Sequence, residues 1–194
     1  MTKLIGSKKI KTAVFISGTG SNLKNLIKFS KNKKSPISID LILSNTKKAK
    51  GFRFADQFKI QKRILNFDNL KIAEKKTLKQ LNKNNINFIC LAGFMKILSK
   101  NFIRKFDGKI INIHPSLLPK YKGTNTFSRI LKNNEKFTGC TVHYVNDRLD
   151  SGKIILKKMF QLNNSENIES LKSKTQKIEY RAYSEAVTKL FSMV

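Results

Sequence analysis

Three side chains in this sequence have the types and placement to manage protons around a reacting carbonyl: Asn112, His114 and Asp150. Asn112 and His114 stand two residues apart at the end of the apolar run 110–113, so on an extended backbone both project to the same side of a strand end. An amide and an imidazole are thereby set side by side. Pro115 and Pro119 follow, and because Pro115 has no N–H for a sheet ladder, the strand is expected to stop at His114 and open into a fixed loop. Asp150 lies in the turn-forming stretch 146–152, just ahead of Ser151 and Gly152. If that loop folds over the strand end, its carboxylate can hold a proton near the imidazole. No Ser or Cys nucleophile accompanies the trio. The chemistry expected is therefore group transfer, in which a substrate's own nucleophile attacks while the protein moves protons and stabilises an oxyanion. The competing reading is a hydrogen-bonded structural histidine and an ordinary turn aspartate.

A second stretch could bind an anion. Residues 12–16 are a short run of strand formers, and after Ser17-Gly18-Thr19-Gly20-Ser21-Asn22 the apolar residues Leu23, Leu26 and Ile27 recur at helical spacing. In such a strand, glycine loop and helix, the backbone can approach a ligand closely, and the free N–H groups of the helix start favour a phosphate. Gly20, Ser21 and Asn22 are the candidate contacts, with Ser21 or Asn22 expected as helix N-cap. The loop lacks the Lys-Ser/Thr ending of a P-loop and the full dinucleotide fingerprint, so a monophosphate fits better than a nucleotide cofactor.

The elements that must position these groups follow from the hydrophobic pattern. Strands are expected at 12–16, 37–44, 63–65, 88–92 and up to His114, alternating with helices from Leu23, at 52–58, at 70–81 and from Ser99 as cap to Phe106. This alternation implies a parallel sheet with crossover helices. Beyond the central loop, residues 140–145 and a strand running from 154 to 160 are joined by so short a link that they should pair antiparallel. Residues 165–191, free of Gly and Pro, read as one long helix or two shorter ones. The expected fold is an α/β domain over 1–194: a Rossmann-like, mostly parallel sheet flanked by helices, with antiparallel C-terminal strands.

Composition bounds the rest. A chain of 194 residues with 40% hydrophobic content can bury one core. It has no run apolar enough to span a bilayer, and its first nine residues lack the apolar centre of a signal peptide, so a cytoplasmic protein is expected. Cys90 and Cys140 match no metal or redox spacing and read as core thiols. The formal charge of +28 comes from 40 Lys and Arg against 12 Asp and Glu. The lysines are scattered and occur with abundant Asn, Ile and Phe, which AT-rich codons encode. No nucleic-acid recognition module accompanies them, though anionic small molecules would be drawn in.

Assembled, these pieces resemble the phosphoribosylglycinamide formyltransferase family, the folate-dependent enzymes of purine synthesis. The likeness is carried by Ser17-Gly18-Thr19-Gly20-Ser21-Asn22, Ala92-Gly93-Phe94-Met95-Lys96-Ile97-Leu98-Ser99, Asn112-Ile113-His114-Pro115-Ser116-Leu117-Leu118-Pro119 and Leu149-Asp150-Ser151-Gly152. The resemblance implies transfer of the formyl group of 10-formyltetrahydrofolate to the amine of glycinamide ribonucleotide, by direct attack and without a metal. It assigns oxyanion stabilisation to Asn112 and His114, and proton delivery to the departing folate nitrogen to His114, with Asp150 assisting. Met95, Lys96, Ile97, Leu98 and Asn112 would line the folate cleft, with backbone of 145–149 holding the pterin. The glycine loop would take the acceptor's phosphate, and Glu179 would contact the acceptor. His143 is expected to be a structural strand residue.

The sequence also departs from the family. Residues 122–127 replace a stretch that usually carries further histidines, leaving their role absent or supplied by Asn125, and Lys96 stands where Arg is common. Methionyl-tRNA formyltransferase and formyltetrahydrofolate deformylase share the third and fourth motifs. Each normally carries a further domain, which a chain of this length is expected to lack. A basic nucleic-acid-binding module on the same scaffold would leave Asn112, His114 and Asp150 unexplained. The partners expected are small molecules, with the protein a monomer or homodimer.

Overall fold

The computed structural model describes residues 9–163 and 165–191; the reading of the extreme N-terminus, residues 1–8, lies outside them, as do residue 164 and 192–194. Strands β1 (Ile10–Ile16), β2 (Ile37–Ser44), β3 (Gln61–Ile64), β4 (Phe88–Leu91), β5 (Lys109–His114), β6 (Phe137–Tyr144) and β7 (Ile154–Gln161) form one sheet in the order β3-β2-β1-β4-β5-β6-β7. The pairs from β3 to β5 are parallel, and β5–β6 and β6–β7 are antiparallel. This is the architecture expected from the alternation of elements.

Period-two placement builds a core on each face. In β1, Val14 and Ile16 join one cluster while Ala13 and Phe15 join the other. The same division separates Phe88 and Cys90 from Ile89 and Leu91 in β4. Helices α1 (Ser21–Ser30), α2 (Phe52–Gln57) and α6 (Ile168–Phe191) contribute apolar residues to the first cluster, whereas α3 (Leu70–Lys83) and α4 (Lys100–Lys105) cover the second. Both cysteines are buried as free thiols, and burial pushes the Cys140 thiol up to about 12. Ser99 caps α4 as expected, its hydroxyl accepting from the Phe102 N–H at 3.1 Å.

Two local features differ from the sequence expectation, and one open choice is decided. Neither Ser21 nor Asn22 caps α1; Gly20 does, in the left-handed region at φ 75°, where the backbone packs so closely that a Cβ on it would stand 2.6 Å from the Gly51 Cα. Helix α5 (Thr126–Lys132) begins inside the stretch read only as a departure from the family pattern and runs beyond it. It is short, begins at Asn125 in the left-handed region and has no side-chain cap, so it carries little local signal. The C-terminal segment is one helix, α6, beginning at Ile168.

The site is placed by topology. Strands β2 and β3 are added on one side of β1 and β4 onward on the other, so the loops after the parallel neighbours β1 and β4 leave in opposite directions at the carboxyl edge of the sheet, the topological switch point where open α/β sheets bind ligands. The Ser17 N–H donates to the Gly93 carbonyl at 3.1 Å, and the Met95 N–H donates to the Ser17 hydroxyl at 2.8 Å. The glycine loop and the loop carrying Met95, Lys96, Ile97 and Leu98 are thus one continuous rim.

Candidate active site

At the end of β5 the structure brings together the side chains that the sequence singled out. His114 is 5% exposed, and its Nδ1 lies 3.3 Å from Asp150 Oδ2. Its Nε2 lies 2.8 Å from the Tyr121 carbonyl. A carbonyl oxygen can only accept, so Nε2 carries a hydrogen. Nδ1 is then the nitrogen whose proton can come and go, and it faces the carboxylate. Asp150 stands at φ 45° in its loop, and its Oδ2 also accepts the Gly123 N–H at 2.8 Å. That bond ties the loop bearing the carboxylate to the segment that follows Pro119.

The antiparallel register sets Asn112 opposite His143. The Asn112 Nδ2 is 3.2 Å from His143 Nε2, while His143 Nδ1 is 2.8 Å from the Tyr144 carbonyl. Nδ1 therefore carries the hydrogen and Nε2 accepts from the amide. Burial holds His143 below its ordinary pKa, against the weaker opposing pull of the Tyr144 carbonyl and Asp150. A neutral ring has no charge to pair with Asp150 Oδ1 at 3.7 Å. His143 fixes the amide of Asn112 through one hydrogen, and the second has no partner among the described residues. A strand residue expected to be purely structural thus touches a candidate catalytic side chain, and only the register reveals it.

The glycine loop is buttressed from α6. The Asn22 amide donates to Glu179 Oε2 at 2.8 Å, Gln176 donates to the Ser21 hydroxyl at 2.6 Å, and Asn25 donates to the Tyr180 carbonyl at 2.8 Å. Residues one helical turn apart thereby zip α1 to α6. Glu179 is buried, and desolvation pushes its carboxyl up to about 7, the Asn22 hydrogen bond offsetting only part of that effect. The Asn22 Oδ1 is buried without a partner among the described residues. Gln176 was not singled out from sequence, because a polar residue in a long generic helix gives no local sign of what it faces.

The rim segment divides. Met95 and Ile97 are each 69% exposed and Lys96 is exposed, whereas Leu98 is buried in the core cluster shared with Phe15 and Phe102. Exposed side chains of this size supply an apolar wall; Leu98 instead anchors the loop. Asn125, the expected stand-in for the missing histidines, is the left-handed residue before α5 and caps nothing with its side chain. Among the described residues no cluster of His, Cys, Asp or Glu could hold a metal ion, and no helix is long and apolar enough to cross a membrane.

A strand-end amide, a buried imidazole beside a carboxylate and a glycine loop on the same sheet edge are residue types that acyl-group transfer can use, and residues 10–187, which contain all of them, match the formyl transferase family model. The chain belongs to the formyl transferase family. It is 38% identical over 176 residues to phosphoribosylglycinamide formyltransferase of Haemophilus influenzae, an alignment covering 89% of this chain and 83% of that protein. The human trifunctional purine biosynthetic protein adenosine-3 is 37% identical over 183 residues; the match covers 93% of this chain but only 18% of that much longer protein. Among solved structures, phosphoribosylglycinamide formyltransferase from Bacillus halodurans superposes with a TM-score of 0.89 at 30% identity, covering 94% of this chain and 95% of that one. Within the formyl transferase family, these relatives place the chain with the phosphoribosylglycinamide formyltransferases.

Proposed function

We propose that this formyl transferase moves the formyl group of 10-formyltetrahydrofolate to the amine of glycinamide ribonucleotide, a step of purine synthesis. The observation that carries the reading is the convergence of Asn112, His114 and Asp150 at the end of β5, on the same sheet edge as the loop of Gly20, Ser21 and Asn22.

The chemistry follows from the geometry. The acceptor's amine attacks the formyl carbon, and the carbonyl oxygen becomes an oxyanion. The second amide hydrogen of Asn112, which has no partner among the described residues, would stabilise that oxygen, and a proton on His114 Nδ1, shared with Asp150, would add to it. Collapse breaks the bond from the formyl carbon to the folate nitrogen. That nitrogen takes a proton as it leaves, the attacking amine gives one up, and the Asp150 carboxylate beside Nδ1 keeps the imidazole supplied between the two. Because the Tyr121 carbonyl holds Nε2–H, the ring cannot turn its other nitrogen to the substrate without losing a buried hydrogen bond.

Substrate placement uses the rest of the edge. Backbone N–H groups at the start of α1 would receive the acceptor's phosphate, and the orphaned Asn22 Oδ1 offers a buried acceptor for a ligand donor. A Glu179 carboxyl near 7 can ionise when a cationic amine arrives. The exposed Met95 and Ile97, with Lys96 between them, would lie along the apolar and anionic parts of the folate.

The test is tetrahydrofolate release by the purified protein from 10-formyltetrahydrofolate, with glycinamide ribonucleotide, initiator methionyl-tRNA or no acceptor present. Release that depends on the ribonucleotide is expected. Release that needs the tRNA, or that proceeds with water alone, would overturn the acceptor assignment.

A further inference from the structure

We propose that Lys122 is a positioning residue for His114: its side chain latches the 121–123 segment to Ser151, so that a carbonyl and a carboxylate are held on opposite nitrogens of the imidazole. The Lys122 Nζ donates to the Ser151 hydroxyl at 2.6 Å. One residue to either side, the segment meets the site: the Tyr121 carbonyl takes His114 Nε2–H at 2.8 Å, and the Gly123 N–H reaches Asp150 Oδ2 at 2.8 Å. Across the latch, Ser151 follows Asp150 directly and donates its own hydroxyl to the Leu149 carbonyl at 2.8 Å. The two loops that clasp the imidazole are therefore joined by Lys122 at the position between their functional contacts.

The segment needs such a fastening. Tyr121 stands at φ 59° and Gly123 at φ 79°, so two of three successive residues are in the left-handed region, which a non-glycine such as Tyr121 adopts at a cost. The Tyr121 side chain is secured at its far end, where the hydroxyl donates to Glu135 at 2.7 Å and accepts from Asn133 at 2.9 Å. The Lys122 carbonyl accepts from Arg129 at 2.7 Å. Toward the site, the Lys122 ammonium adds a side-chain link between segment and loop beside the Gly123–Asp150 bond, and its charge is one of those that oppose protonation of His143.

The kinetic part of the test rests on the formyl-transfer reading; the spectroscopic part does not. Lys122→Met is expected to lower kcat for formyl transfer about tenfold, with both KM values within about twofold, because it disturbs the alignment of the reacting groups and not the binding surfaces. Lys122→Arg, which can still reach Ser151, should restore most of the loss. Ser151→Ala should act like Lys122→Met, and the double variant should be no worse than either. With only two histidines in the chain, imidazole nitrogen NMR reads His114 directly. Its Nε2 proton should be protected from exchange in the wild type and lose that protection in Lys122→Met. Unchanged turnover with unchanged His114 signals would overturn the proposal, as would an Arg variant as impaired as the Met variant. A wild type that transfers no formyl group would refute the function while leaving the latch to be decided by the spectra.

Discussion

The glycine loop after β1 and the polar cluster after β5 occupy the same edge of one sheet, yet they are built in opposite ways. The cradle at Gly20 comes from backbone packing: a left-handed glycine, a second glycine, Gly51, against it, and a helix start offering N–H groups. The cluster at His114 comes from side chains of three segments, and each of its bonds crosses between neighbouring strands, from a strand to a loop or between loops. The two carboxyls show the same contrast. Asp150 meets a backbone N–H and lies beside two imidazoles, whereas Glu179 has one amide for company and is pushed up to about 7 by its burial. A backbone-built site tolerates side-chain change but not volume. A site built from side chains tolerates the reverse.

The largest effect that would sharpen this contrast is on chemistry. Alanine at His114 should cut formyl transfer about a hundredfold or more if oxyanion stabilisation and proton delivery coincide there. Near wild-type turnover would remove the cluster from the reaction. Gly20→Ala should do the opposite, destabilising the fold by about 2 kcal/mol through positive φ and the approach to Gly51, read by urea unfolding, and raising KM for the ribonucleotide. If it folds as well as wild type, the close approach is not a constraint.

The third experiment concerns Glu179. Its folded-state pKa of about 7 lies above the ordinary value of 4.5, so folding favours the protonated form. Stability from this group is fully present below about pH 4.5 and is lost as pH rises through 7. Glu179→Gln should flatten that part of the profile, removing a pH dependence on the order of 2 kcal/mol between pH 5 and 8. An unaltered slope would show that another group carries it. The smallest effect is expected at His143: His143→Phe keeps the ring volume but releases the Asn112 amide, and should lower kcat about fivefold with little change in KM. A loss as large as that at His114 would make His143 a participant in the chemistry and not a support.

Much of this was legible along the chain. The strands 37–44 and 109–114, the cap at Ser99 and the antiparallel turn to β7 follow from local periodicity and from prolines and glycines, whose effects are carried by neighbouring residues. Helix α5 was not legible, because seven residues without a side-chain cap barely exceed one nucleus of helix. The N-cap of α1 was misplaced because Ser21 and Asn22 are good caps locally, while the approach of Gly51 that selects Gly20 comes from elsewhere in the chain.

By itself, the sequence determined which residue types could do chemistry, Asn112, His114 and Asp150 among them, and that a glycine loop would lead from the first strand into a helix. Those properties reside in side-chain type and short-range geometry. Only the tertiary structure decided which nitrogen of His114 is tied to Tyr121, that His143 holds Asn112, that Gln176 and Glu179 buttress the loop, and that Leu98 belongs to the core. Hydrogen bonds between segments far apart in sequence, and the burial that moves a carboxyl toward neutrality, exist only once distant surfaces have met and excluded water.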